Sequence, residues 1–196
     1  MRTKDLNKEE SIKTTALQMI VDEGFKGLSM QKLAKKANVS PATIYLYFKD
    51  REDLLNQLYL EVLNRTNEAA LHNFNPLLSF SSGLELLWLN RYRYYSRNPL
   101  DFYFIEQFIN SPLIHKITEQ EDQTYGRIMQ QFYKNAIDNN EIADLPLEIY
   151  WPVAFAPLYQ LIKFHLQKSI HPKPAIEIDE SKLLKALQLV LKALTR

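Results

Sequence analysis

Between Ser29 and Phe48 the chain carries two short amphipathic helical patterns that meet at a tight polar turn, in the segment SMQKLAKKANVSPATIYLYF. Ser29 is an N-cap residue type, and Leu33, Ala34 and Ala37 recur on one side of the pattern that follows it. Lys32 stands where a capping box would put an acid, so only the cap half of that device is present. Asn38 is placed to end the helix in the left-handed conformation. The second pattern restarts at once, with Ser40 as cap and Pro41 at the first helical position. Two short helices joined by a turn of three or four residues make a helix-turn-helix, whose second helix enters the DNA major groove. Any helical bundle can contain such a pair, so residue content has to decide. With Leu33, Ala34, Val39, Ile44 and Phe48 inward, the outward set is Ser40, Ala42, Thr43, Tyr45, Tyr47 and Lys49. It is small, hydroxyl-bearing or basic, and no acid intervenes before Asp50. Hydroxyls and a lysine suit phosphates, while Ala, Thr and Tyr reach thymine methyls and base edges.

The run ANVSPATIYLYFKDREDLL resembles the signature of the TetR family of bacterial transcriptional regulators, and the resemblance extends over about Leu6 to Thr66. It implies that Thr43, Tyr45, Tyr47 and Lys49 contact DNA, with Lys49 on a phosphate, and that Ser29 caps the second helix. Two departures stand out. The family commonly has His at the Tyr47 position, and often Gly where this chain has Asn38.

Charge is distributed to match. The net charge over 196 residues is only +1, but nine basic and six acidic residues through Asp50 give that part +3 and leave −2 for the remainder. Such asymmetry fits a DNA-facing N-terminal part joined to a neutral or acidic domain. Apolar content of 46% and aromatic content of 12% indicate a folded globular chain.

Taken in order, a first helix is expected from about Lys8 to Glu23, with Ile12, Ala16, Met19 and Ile20 on one face and Gly24 as its stop. Asp50-Arg51-Glu52-Asp53 caps a fourth helix, which Leu54, Leu55, Leu58, Tyr59, Val62 and Leu63 carry toward residue 70. It reads as the connector between two domains. After a loop over 73–82, helical stretches are expected at about 83–96, 100–109, 112–138, 146–169 and 180–195. Strand alternation with hairpin turns is absent. The expectation is an all-α chain. Residues 6–66 form a three-helix DNA-binding domain around the 29–48 motif, and 67–196 form a larger helical ligand-binding and dimerisation domain.

The last helix bears one apolar stripe of Leu183, Leu184, Leu187, Val190, Leu191 and Leu194. The helix before it is apolar nearly all round and must be covered on all sides. In TetR-like proteins the last two helices of each subunit form a four-helix dimer interface. That implies one here involving Leu158, Ile162, Leu183, Leu187, Val190, Leu191 and Leu194. Pro152 and Pro157 should kink or break the penultimate helix.

Between connector and interface lies an aromatic concentration, from which Trp88, Tyr92, Tyr95, Phe104, Phe108, Tyr125, Trp151, Phe155 and Tyr159 are candidate liners of a small-molecule site. Glu106 and Gln107 would be its polar handles, and Arg91 or Arg93 could neutralise an acidic ligand. With an acid the pocket would suit a cation by cation–π attraction. Without one it would suit an acyl chain or an aromatic compound.

Other chemistry finds little support. The chain has no cysteine, which excludes disulfides, thiolate nucleophiles and Cys-based zinc sites. His72, His115, His165 and His171 make no metal-ligand spacing, and the four glycines form no phosphate-cradling motif. The carboxylates Glu119, Glu121 and Asp122 read as a solvated face. No enzyme, cofactor or metal is expected, and with no apolar signal region or 20-residue apolar span the chain reads as cytoplasmic and bacterial, without a membrane role. The expected partners are double-stranded operator DNA, a small-molecule effector and a second copy of the chain. The reading is a dimeric repressor released from a palindromic operator by a largely apolar or aromatic ligand. The alternative is an all-helical carrier or interaction module that reads no DNA.

Overall fold

The computed structural model describes residues 6–116, 123–167 and 177–196. Among these residues the chain is all-α, with nine α-helices, one 3-10 turn and no strand beyond an isolated bridge between Ile142 and Thr195. Residues divide into two compact units. One takes the chain through Arg65 together with Leu100 onward to the 3-10 turn; the other takes Thr66–Pro99 and the C-terminal part. The unit holding the helix-turn-helix thus extends beyond the expected 6–66 segment.

In the first unit, α1 (Leu6–Gly27) buries Ile12, Ala16, Leu17, Met19 and Ile20 at helical spacing. Its regular backbone is interrupted at Gly24, with φ 71° and ψ 175°, before a last turn to Gly27. No neighbour lies within 4 Å of a β-carbon added there, so the backbone conformation, not space, requires glycine. Helices α2 (Met30–Lys36) and α3 (Pro41–Ile44) follow. Helix α4 (Arg51–Ala70) begins where Asp50 Oδ1 accepts from the Asp53 amide at 2.9 Å and Asp53 Oδ2 accepts from the Lys49 amide at 2.7 Å. It contributes Leu54, Leu55, Leu58, Tyr59 and Val62 to the core.

The first core is completed from far along the sequence. Helix α6 (Pro99–Ile109) supplies Phe104 and Phe108, both fully buried. Phe108 stacks on Tyr59 with ring centroids 4.2 Å apart and meets Phe25 edge-on at 5.6 Å. At the other end of α6, Asp101 receives both Nε and Nη2 of Arg65, at 2.8 and 2.6 Å. Phe104 and Phe108 are therefore core of this unit, and the expected cavity loses two liners. Glu106 and Gln107 go with them, and Gln107 Nε2 donates to the Val21 carbonyl at 3.3 Å.

In the second unit, α5 (Phe80–Arg97) packs against α7 (Thr124–Asp138), α8 (Leu147–Leu166) and α9 (Glu180–Leu194). Ser79 caps α5 and Asp179 caps α9, the latter accepting from the Lys182 amide at 2.8 Å. Gly83 lets α5 approach Phe132 of α7: a β-carbon at Gly83 would stand 2.4 Å from that ring. The expected single helix over 112–138 is instead a 3-10 turn (Pro112–Lys116) and, later, α7. Residues 117–122 between them, with Glu119, Glu121 and Asp122, lie outside the described residues, as do 168–169 and His171. Neither proline interrupts α8, which runs through Pro152 and Pro157. A proline removes one ladder bond and crowds the preceding turn. The Ala154 carbonyl, in the turn before Pro157, accepts from Trp88 Nε1 of α5 at 2.9 Å.

The expected subunit-interface set needs correcting. Leu158, Ile162, Leu183 and Leu187 have no exposed surface, and Val190, Leu191 and Leu194 are nearly as buried within the single chain. The α9 stripe is spent on the protomer's own core, since α9 must cover α8 and α5. What remains outward is another set: Leu147 and Ile149 of α8 and Leu189 of α9 are all more than half exposed.

Candidate functional site

The turn between α2 and α3 is built entirely by local chemistry. Ser29 Oγ accepts from the Lys32 amide at 3.2 Å, the capping role expected of it. At the other end Asn38 takes φ 53°, the Val39 amide reaches the Ala34 carbonyl at 3.0 Å, and the Asn38 amide reaches Lys35 at 3.3 Å. That pair of bonds is a Schellman motif, with Asn in the place glycine most often holds. One residue later Ser40 Oγ accepts from the Thr43 amide at 3.1 Å and lies 2.8 Å from Thr43 Oγ1. Arg51, at the start of α4, fixes the segment entering α2: its Nε donates to the Leu28 carbonyl at 3.0 Å and its Nη2 to that of Phe25. Every turn of this motif is thereby tied down by a cap, a Schellman closure or a guanidinium.

Helix α3 is shorter than the pattern implied. Regular α geometry ends at Ile44, and tighter turns carry the chain on, with the Leu46 amide on Thr43 and the Tyr47 amide on Ile44. Ser40, Ala42, Tyr45 and Lys49 are exposed and Thr43 half-buried, consistent with an outward face. Tyr47 is not part of it. It is buried at 9% exposure, its ring 6.3 Å from Phe48 in the core of this unit. Ile44, Tyr47 and Phe48 are spaced i, i+3, i+4, which puts all three on one side. That spacing was the available signal for Tyr47. The outward face also includes Leu46, half exposed beside Tyr45, and the exposed Gln31, Lys32 and Lys35 of α2. Lys36 is drawn to Glu23 at 2.6 Å, and that ammonium holds the Glu23 carboxyl below its usual range.

Residues 12–58 match the family model of the bacterial regulatory proteins of the tetR family. A helix-turn-helix-type transcriptional regulator of Haemophilus influenzae is 31% identical over 112 residues, covering 57% of this chain. The chain spans 60% of that relative's length. The solved structure of a TetR family transcription regulator from Marinobacter aquaeolei VT8 is similar over 100% of this chain and 99% of that one, with TM-score 0.78 and 25% identity. Residues 12–58 are thus a DNA-binding segment of the TetR type. Members of that family are DNA-binding transcriptional regulators, not enzymes. The fold alone is shared with the transcriptional regulator FadR from Bacillus subtilis, solved in complex with stearoyl-CoA (TM-score 0.74, 20% identity, 93% of this chain and 97% of that one). No described helix of this chain is long and apolar enough to cross a membrane.

The second unit brings together a different part of the expected set. Arg91, on the buried stripe of α5 with Trp88 and Tyr95, is 5% exposed. Its Nε donates to Tyr159 Oη at 3.1 Å and its Nη2 to Tyr125 Oη. Its guanidinium carbon lies 5.4 Å from the centres of both the Tyr125 and Phe155 rings. Trp151 stands against Phe155, with centroids 4.5 Å apart. Tyr92 faces elsewhere, donating to the Ile178 carbonyl at 2.5 Å beside His165. Arg93 is engaged at the surface by Glu180, at 2.7 and 2.9 Å. Of the two arginines considered for an acidic ligand, only Arg91 is inside.

Arg91 is electrostatically odd. Burial works against its charge, while Tyr159, Tyr125 and Tyr95 raise the guanidinium above the ordinary arginine range once they ionise; at neutral pH the arginine is protonated in either case. The tyrosines could balance that charge only as phenolates. Burial pushes Tyr95, Tyr125 and Tyr150 above their ordinary value of 10.0, so at neutral pH they are uncharged. No carboxylate pairs with Arg91 among the described residues, and its Nη1 has no hydrogen-bond partner; neither has the Tyr150 hydroxyl. An unpaired buried charge ordinarily costs several kcal/mol, and stacked rings recover about 2 of them. A sequence signal existed: Arg91 falls three residues after Trp88 and four before Tyr95 on an otherwise apolar stripe.

Proposed function

We propose that this chain is a dimeric repressor that binds a palindromic operator and releases it when a largely apolar or aromatic effector fills the second unit. In this reading residues 6–66 read DNA, through Ser40, Ala42, Thr43, Tyr45 and Lys49, with Ser29 positioning α2. Residues 67–196 bind the effector and dimerise, and the protein works in the cytoplasm. The observation that carries the proposal is the capped and closed turn that holds Ala42, Tyr45 and Lys49 outward, in a segment matching the family's DNA-binding part. Rigid caps matter because a reading helix must present its side chains without paying for their ordering on contact. The exposed apolar side chains Leu147, Ile149 and Leu189 support a second subunit over α8 and α9. The fold neighbour crystallised with stearoyl-CoA supports an effector with an apolar body. Coupling between effector and operator is expected at about 1–3 kcal/mol.

The test is selection of bound duplexes from a random DNA pool, followed by titration of the winner at two salt concentrations. A palindromic site bound at about 10⁻⁸ M or tighter, weakening as salt rises, supports the repressor. The double variant Tyr45→Ala, Lys49→Ala should abolish that binding while helicity and oligomeric state survive. Weak, sequence-blind binding would instead favour a carrier or interaction module.

A further inference from the structure

We propose that the effector carries a single carboxylate and that Arg91 is the group that receives it. This rests on the second unit being the effector domain, as proposed above, and narrows the effector from "apolar" to "apolar acid". A guanidinium has five N–H donors. Tyr159 takes one from Nε and Tyr125 one from Nη2, which leaves two on Nη1 and one on Nη2. The Nη1–Nη2 edge presents parallel donors at the spacing of two carboxylate oxygens. The tyrosines orient the fork by occupying its other edge, and the rings of Tyr125 and Phe155 flank it.

Charge selects among the ligand classes that the sequence left open. A cation is repelled by Arg91. A neutral compound leaves the buried charge as unbalanced as before. Among the described residues Arg91 is the one buried cation, which matches a monoanion better than a phosphate dianion. The apolar body then has Phe155 and its neighbour Trp151 beside the charged end. Tyr150, whose hydroxyl lacks a partner and feels Tyr125, adds a donor on α8.

The experiment uses the full chain and follows the intrinsic fluorescence of Trp88 and Trp151. Octanoate, dodecanoate and 1-naphthoate are titrated beside their primary amides, which keep the shape and lose the charge. At least one acid should bind saturably, about tenfold tighter than its amide, and Arg91→Met should reduce that preference to about twofold or less, with Arg91→Lys keeping part of it. The inference is overturned if no acid binds, if acid and amide bind alike, or if a folded R91M retains the preference. Should R91M not fold, the acid–amide pairs on the unaltered protein decide alone. Operator binding is measured in the same samples. A protein that binds no operator sinks the repressor reading and leaves the acid–amide comparison standing. An operator bound tightly and released only by a neutral compound sinks the carboxylate and leaves the repressor.

Discussion

Two arginines show how differently the two units are built. In the first, Arg65 is a third exposed and grips Asp101 with both Nε and Nη2, while Glu61 adds an ion pair at 3.1 Å. In the second, Arg91 is almost wholly buried and, among the described residues, meets hydroxyls and ring faces and no carboxylate. The first unit pairs its buried carboxylate and ties its turns within itself, through Arg65 on Asp101, the caps and the Arg51 bonds to Phe25 and Leu28. The second leaves a charge open. A part that must present a fixed surface gains from closure, and a part that must respond to something gains from an interaction left to be made.

The contrast breaks if the two arginines prove equivalent to stability. Arg65→Met removes the two-pronged cationic partner of the buried Asp101 carboxylate and should cost about 3 kcal/mol, whereas Arg91→Met removes an uncompensated charge and should cost under about 1 kcal/mol or stabilise. Urea midpoints of the two variants measure this directly, and equal losses would mean that Arg91 is as well satisfied as Arg65. Next in size, Gly83→Ala drives a methyl into Phe132 and should cost about 1–3 kcal/mol through overpacking. Hydrogen exchange should show that loss in α5 and α7 while α1–α3 keep their protection. Ser40→Ala removes a cap and should cost about 1 kcal/mol, this time confined to exchange in the first unit. The smallest effect concerns pH. The Arg93 hydrogen bond holds the Glu180 carboxyl below its ordinary 4.5. That stabilisation is complete above the unfolded value and disappears as pH falls through the folded one. Glu180→Gln should therefore lower stability by under about 1 kcal/mol at pH 7 and by less at pH 3, as denaturant curves at the two pH values would show.

Sequence made legible what local chemistry determines. Ser29, Asn38, Ser40 with Pro41, and Asp50 with Asp53 each carry a cap or closure that needs only a few neighbouring residues, and each is found where expected. The family likeness followed from the same stretch. Tyr47 has the residue type of a DNA-facing position, but its spacing from Ile44 carries the signal for the burial observed. The remaining misses are non-local. Nothing in DFYFIEQF says that Phe104 and Phe108 join Phe25 and Tyr59, since any amphipathic helix of that composition would do. The α9 stripe likewise announces burial but not which neighbour provides it. Arg91 was legible as a charge on an apolar stripe; that its described neighbours are the hydroxyls of Tyr159 and Tyr125 required the assembled helices.

The first core draws on two separated stretches of chain, one ending at Arg65 and the other beginning at Leu100. During synthesis, the DNA-reading segment leaves the ribosome some forty residues ahead of Phe104 and Phe108. Until those rings arrive, Phe25 and Tyr59 lack part of their cover, and the nascent segment is an unfinished domain exposed to aggregation and chaperone capture. A fragment cut at residue 66 would stay permanently in that condition. Joining it to a heterologous partner would yield a soluble DNA reader only if a helix equivalent to α6 were grafted back.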